Sequence, residues 1–273
     1  MNLTRSELEN VYKNIQGPEQ VNYIKTGLSG LDIDIFPFLD KGSMITVAGR
    51  PAMGKTMFCL NLLERFCISG KRCLYFTPYL TKERIIKRLL ILHSAANPRK
   101  KPFGKEELER MVEAIDDIEK WELNIIDHPE CQLSYMEKLI TKNQPDYIFI
   151  DSISELNYSP RGIKKLAEKY NVIFFITTGI KRTAEEREEH IPMANDVKNP
   201  KGLLDFSDEV LILYRSGYYG RLGKKDVMYV FAVKQIGTRT ALHNFNTDTG
   251  RILHMSSDDY AKYCEECEEK DND

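Results

Sequence analysis

Gly49-Arg50-Pro51-Ala52-Met53-Gly54-Lys55-Thr56 decides how this chain is read. The stretch meets the pattern G-x-x-x-x-G-K-[ST] at every specified position, and its flanks supply the context the pattern needs. Met44-Ile45-Thr46-Val47-Ala48 before it is a short apolar run of strand type. Met57-Phe58-Cys59-Leu60-Asn61-Leu62-Leu63 after it is an apolar run of helix type. Phosphate chemistry explains the residue types. Gly49 and Gly54 let the backbone curl until several N–H groups converge on one oxyanion, and the following helix N-terminus adds its positive dipole end. Lys55 reaches the β- and γ-phosphates, and Thr56 offers its hydroxyl to Mg2+. Arg50, Pro51, Ala52 and Met53 complete the loop. The expectation is a site for ATP with Mg2+; a chance glycine turn between a strand and a helix is the reading it displaces.

A second element fits the same site. Tyr147-Ile148-Phe149-Ile150-Asp151 is an apolar run that ends in a carboxylate, as a buried strand delivering an acid to Mg2+ would. Asp151 is therefore read as a metal-site residue with Thr56, rather than as a helix cap.

The composition bounds the rest. The chain has 273 residues, of which 42% are apolar and 29% charged, enough for one large domain or two small ones and too apolar for general disorder. No run approaches the ~18 consecutive apolar residues of a membrane span, and no secretory signal opens the chain. The formal net charge of −2 does not announce a nucleic-acid partner, so any basic surface must be local. Cys59, Cys67 and Cys73 lie in or beside apolar segments and read as reduced core residues of a cytoplasmic protein. Cys264 and Cys267 form a lone C-x-x-C, weak grounds for a metal site.

In chain order, Leu3 to Ile15 reads as an amphipathic helix with a Thr4/Glu7 capping box and an apolar face of Leu8, Val11, Tyr12 and Ile15. A helix this short must dock on something, so residues 1–20 are expected to act as a linker. Arg72 to Phe76, Leu123 to Ile126 and Val172 to Thr177 read as strands. Helices are expected after Thr81, with Ile85, Ile86, Leu89 and Leu90 buried. Others are expected over Glu106 to Lys120, with a stripe of Leu108, Met111, Val112, Ile115 and Ile118, and after Ser159-Pro160. Lys181 to Lys201 is too long and polar for an ordinary connector. Glu209 to Tyr214, Val227 to Val233 and Leu242 to Phe245 read as closing strands without helices between them. Residues 258–273 are acidic and expected to fray. Strands alternating with helices imply an α/β domain over residues 21–257, with a mostly parallel sheet covered by helices on both faces and antiparallel strands at the C-terminal end.

These residues resemble the C-terminal motor domain of replicative DNA helicases of the DnaB type, which has a RecA-like fold. The likeness runs from the Thr26-Gly27…Leu31-Asp32 segment through Arg50-Pro51-Ala52-Met53-Gly54-Lys55-Thr56 and Leu74-Tyr75-Phe76-Thr77. It continues through Tyr147 to Asp151, Ile163-Lys164-Lys165-Leu166-Ala167, Asp196-Val197-Lys198 and Asp208…Tyr214-Arg215, and reaches Lys234-Gln235. It implies a homo-oligomeric ring that hydrolyses ATP between subunits and moves single-stranded DNA in DNA replication. Leu8, Val11, Tyr12 and Ile15 would pack on a neighbouring subunit, and Lys234 and Arg239 would face one. Lys181, Arg182, Arg187 and Lys198 fall where the family holds DNA; phosphate contacts there would be sequence-independent and salt-sensitive.

Four departures bear on turnover. Tyr79 stands where the family has its catalytic glutamate, and a phenol with a pKa near ~10 is a poor base at neutral pH. Gly179 stands at the sensor glutamine, and Ile236 at the arginine that reaches into the neighbouring site. The segment between Asp151 and Ile163 is short. A general base contributes ~10²–10⁴-fold and an arginine finger ~10³–10⁵-fold, so the residues support ATP binding more firmly than hydrolysis. Glu83 and Glu155 are the candidate substitute bases, and Arg239 a displaced arginine. Two readings follow: a helicase motor domain, or an ATP-binding regulator or assembly partner of a true helicase or other replication protein. A recombination ATPase fits the loop less well.

Overall fold

The computed structural model describes residues 4–6, 9, 24–127, 132–153, 158–219, 227–234 and 238–271. Leu8, Val11, Tyr12, Ile15, Glu155 and Ile236, all named above, lie outside the described residues.

A sheet of nine strands forms the centre: β1 (Met44–Gly49), β2 (Cys73–Phe76), β3 (Leu123–Ile126), β4 (Tyr147–Ile150), β5 (Ile173–Gly179), β6 (Glu209–Tyr214), β7 (Val227–Ala232), β8 (Arg239–Phe245) and β9 (Ile252–His254). Their order is β3-β2-β4-β5-β1-β6-β7-β8-β9. Pairing is parallel from β3 to β6 and antiparallel from β6 to β9. The parallel sheet with antiparallel closing strands is the one expected from the alternating pattern, and it fits the RecA-like fold that the resemblance implies. β1, β2, β4 and β6 are buried along their whole length, which is why they read as unbroken apolar runs rather than as alternation.

The helices are α1 (Ser29–Asp34), α2 (Lys55–Ile68), α3 (Lys82–Ser94), α4 (Lys105–Glu119), α5 (Leu133–Asn143), α6 (Pro160–Tyr170), α7 (Leu203–Phe206) and α8 (Ser257–Asp271). Two cores flank the sheet. One joins α2 and α3 to Val47, Tyr75, Phe149 and Phe175; the other joins α5 and α6 to Leu74, Ile148, Phe174 and Ile176. The caps form as the sequence indicates. Thr81 accepts from the Arg84 N–H, and Ser159 from Gly162 ahead of Pro160. After α2 the left-handed Gly70 closes a Schellman turn, with Gly70 N–H on the Cys67 carbonyl at 3.0 Å and Lys71 N–H on that of Phe66 at 3.0 Å.

Three expectations are corrected. The tail from Asp258 forms α8, because Tyr263 is buried and its hydroxyl bonds Tyr229, giving this acidic helix an anchor. The α4 stripe is only partly a core face. Ile118 packs against the first core, while Leu108, Val112 and Ile115 are 51%, 59% and 52% exposed, since α4 lies outside α3 and buries only Ala114 outright. On α3, Ile85, Leu89 and Leu92 are buried but Ile86 is exposed: the face that meets the core is rotated past it. The Thr26–Asp32 segment leads into α1, its start locked by Asp32, whose carboxylate accepts from the Thr26 N–H and hydroxyl and the Gly27 N–H.

Candidate nucleotide-binding site

The site is built at the C-terminal ends of the parallel strands, where β1 turns into α2. Two backbone positions make the turn. Ala52 has φ 63° and Gly54 φ 101°, the left-handed conformations that aim successive N–H groups into one concavity. Gly54 has a second constraint: a Cβ there would lie 3.1 Å from Met228 Cε and 3.5 Å from the Phe245 ring. The first-turn N–H groups of α2 have no acceptor within the helix and face the same concavity.

Lys55 folds back over the loop and donates to the carbonyls of Gly49 at 2.8 Å and Arg50 at 3.1 Å. Burial lowers its pKa. Asp151 and Cys59 oppose that, while the cations Arg50 and Lys198 add to it. The Arg50 side chain turns away from the concavity: its Nε donates to Glu185 at 2.7 Å and Nη1 to the Ile180 carbonyl at 3.2 Å, which ties the phosphate loop to the chain after β5.

Thr56 and Asp151 come together as expected. The Thr56 hydroxyl donates to Asp151 Oδ2 at 2.7 Å. Asp151 is only 7% exposed and takes two further donors, Tyr75 on Oδ2 at 3.0 Å and Thr177 on Oδ1 at 2.7 Å. The hard oxygens of Thr56 and Asp151, side by side at the mouth of a phosphate cradle, suit Mg2+. Tyr75 and Thr177 were not singled out in the sequence. Only the rule that a buried phenol needs a hydrogen-bond partner could have flagged Tyr75.

Arg215 was also without an assigned role. It is 8% exposed, its Nε has no hydrogen-bond partner among the described residues, and its guanidinium lies over the Phe245 ring at 4.5 Å. Phe245 in turn borders Gly54, so a flat cation and an aromatic ring adjoin the phosphate loop.

The other candidates are dispersed. Tyr79 is 74% exposed, so the end of β2 presents a solvent-facing phenol. Glu83 is exposed in the first turn of α3. Lys181 donates to the Asn195 carbonyl at 2.9 Å, and Arg187 is paired with the buried Asp196. Both pin the 181–201 stretch to itself, and the Ile180–Val197 bridge closes it. Arg182 and Lys198 are exposed. Lys234 donates to the Leu204 carbonyl at 2.6 Å, and Arg239 faces the fully buried Glu209 at 3.5 Å, near the start of β6 and away from the phosphate loop.

A strand–loop–helix cradle with its acid delivered from β4, in this strand order, defines a RecA-like P-loop domain. The sequence model of the DnaB-like helicase C-terminal domain matches residues 23–245, and the chain belongs to that family. It is 27% identical over 209 residues to a probable replicative DNA helicase of Trieres chinensis, covering 68% of this chain and 46% of that protein. It is 25% identical over 243 residues to the replicative DNA helicase DnaB of Rickettsia typhi, covering 78% and 49%. The chain thus spans about half the length of these curated relatives. Among solved structures, one described as an ATPase domain aligns with a TM-score of 0.82 at 22% identity, covering 94% of this chain and all of that one. A DnaB-like replicative helicase described with its interactions with primase aligns with a TM-score of 0.84 at 22% identity, covering 94% and 68%.

Proposed function

We propose that this domain binds ATP with Mg2+ and works as the motor domain of a replicative DNA helicase, in a ring with copies of itself around single-stranded DNA. One observation carries the reading: Lys55 is folded over the phosphate loop while Thr56 and Asp151 meet at 2.7 Å. Lys55 and the first-turn N–H groups of α2 would hold the phosphates. Thr56 and Asp151 would hold Mg2+, which when bound neutralises charge on the transferring phosphoryl group. Tyr75 and Thr177 keep the Asp151 carboxylate aimed. Arg215 and Phe245 would take the base between a guanidinium and a ring, replacing the contact they make with each other. Lys181, Arg182, Arg187 and Lys198 belong to the stretch assigned to the DNA strand, where Lys181, Arg182 and Lys198 are exposed. A primase is a partner class for this reading, because one structural relative is described with one.

A second reading has its own observation. Tyr79 points into solvent where a carboxylate would orient the attacking water, which suits an ATP-binding regulator or assembly partner of a helicase. ATP hydrolysis measured with and without single-stranded DNA, against Lys55→Ala as the blank, separates the two. DNA-stimulated turnover above the blank supports the motor. Turnover equal to the blank, with ATP binding verified separately, overturns it and leaves the regulator.

A further inference from the structure

Two lysines lie over two glycines at the mouth of the site. Gly49 ends β1 and Gly179 ends β5, and they are register partners in parallel strands, so a Cβ on either would leave the same face of the sheet. At Gly49 that Cβ would lie 3.2 Å from Lys55 Cγ. At Gly179 it would lie 3.2 Å from Lys198 Cδ, 3.5 Å from Cε and 3.7 Å from Nζ. Lys198 therefore runs alongside Lys55, one strand spacing nearer β4 and Asp151. Thr177, two residues before Gly179 and on the same face, already donates to Asp151. The main chain holds Lys198 in place: its N–H donates to the Gly179 carbonyl at 2.9 Å, and its carbonyl accepts from the Thr178 hydroxyl at 3.2 Å. Among the described residues its ammonium has no hydrogen-bond or ion-pair partner, unlike those of Lys181 and Lys234. The absence of a side chain at Gly179 is what lets Lys198 lie there.

We propose that Lys198 is a nucleotide residue rather than a DNA residue: its ammonium contacts the γ-phosphate of ATP, from the β5 side of the site, beside Lys55. The inference rests on the ATP-binding reading above. Lys198 is part of the chain bridged to β5 through Ile180 and Val197, so the contact would make the 181–201 stretch respond to whether ATP or ADP is bound.

The test is equilibrium titration of the full chain, without DNA, using a fluorescent non-hydrolysable ATP analogue and fluorescent ADP, each with Mg2+. Lys198→Ala should weaken the ATP analogue roughly 10- to 100-fold, the range for one charge-assisted hydrogen bond, and leave ADP unchanged. Lys198→Arg should restore most of the loss. Gly179→Ala, which keeps the lysine but pushes its Cδ aside, should shift the same two affinities in the same direction. Thermal melting shows that each variant is folded. Unchanged affinity for the ATP analogue in Lys198→Ala overturns the proposal, and a drop in single-stranded DNA affinity of that variant, measured in a separate titration, would return Lys198 to the DNA strand. Equal loss of ATP analogue and ADP also overturns it, as a general effect on the loop. No nucleotide binding by the unsubstituted protein would overturn the ATP reading itself, a result distinct from any of these.

Discussion

Tyr75→Phe isolates what holds Asp151, the carboxylate proposed to hold Mg2+. The Tyr75 ring is fully buried and stacks with Phe149 at 5.9 Å, so the substitution keeps the ring and removes one oxygen. That hydroxyl has Asp151 Oδ2 as its hydrogen-bond partner at 3.0 Å. A hydrogen bond to a buried charge contributes about 1.5–3 kcal/mol. Asp151 keeps the Thr56 and Thr177 hydroxyls, and no orphaned donor remains at position 75, so the lower half of that range applies. For a chain of this size, about 2 kcal/mol corresponds to a melting temperature lower by roughly 4–8 °C. The functional consequence is separate. If Thr56 leaves Asp151 to bind Mg2+, Tyr75 and Thr177 are the remaining donors that aim the carboxylate, and loss of such a supporting bond costs about 10- to 100-fold in metal affinity. The assay is thermal unfolding together with Mg2+ titration of ATP-analogue binding, in a cycle with Thr177→Val. The two substitutions should be non-additive, because they act on the two oxygens of one carboxylate. A Tyr75→Phe protein with unchanged melting and unchanged Mg2+ dependence would refute the assignment.

Two further outcomes test the framework around the site. Glu64→Ala should destabilise by about 3 kcal/mol in chemical denaturation. This buried carboxylate on α2 accepts from Arg251 at 2.9 and 3.0 Å and from His93 at 2.8 Å; Arg251 keeps the Leu92 carbonyl at 2.5 Å, which limits the loss. His243 predicts a pH dependence. Burial first, then the positive charges of His254 and Arg65, push its pKa down to about 4, and among the described residues neither ring nitrogen has a hydrogen-bond partner. The unfolded chain, with a histidine near ~6.5, binds the proton first as pH falls, so stability contributed by neutral His243 is complete above about 6.5 and drops by roughly 3 kcal/mol toward pH 4. Denaturation between those limits should show that slope, and His243→Leu should flatten it; an identical slope in both proteins would assign it to other groups.

The phosphate loop and Asp151 were legible because each is a local string whose residue types follow from the ligand. The α/β order was legible because fully buried strands and one-sided helices carry different periodicities. α8 and the α4 stripe were misread for one reason: burial of a short segment depends on what packs against it. Tyr263 finds Tyr229, while Leu108 stays half in solvent.

The sequence by itself determined the phosphate-loop pattern with its flanking strand and helix, the alternation of strand and helix segments, and the helix caps, all of which are read from residues within a turn or two of one another. Tertiary structure alone decided that Tyr75 reaches Asp151 across 76 residues, that Arg215 lies on Phe245, and that Arg187 pins Asp196. It also decided that Lys198 lies over Gly179 beside Lys55. The physical reason is register. Gly49 and Gly179 are neighbours only because β1 and β5 pair side by side, and nothing in either segment encodes the partner strand that brings the two lysines together.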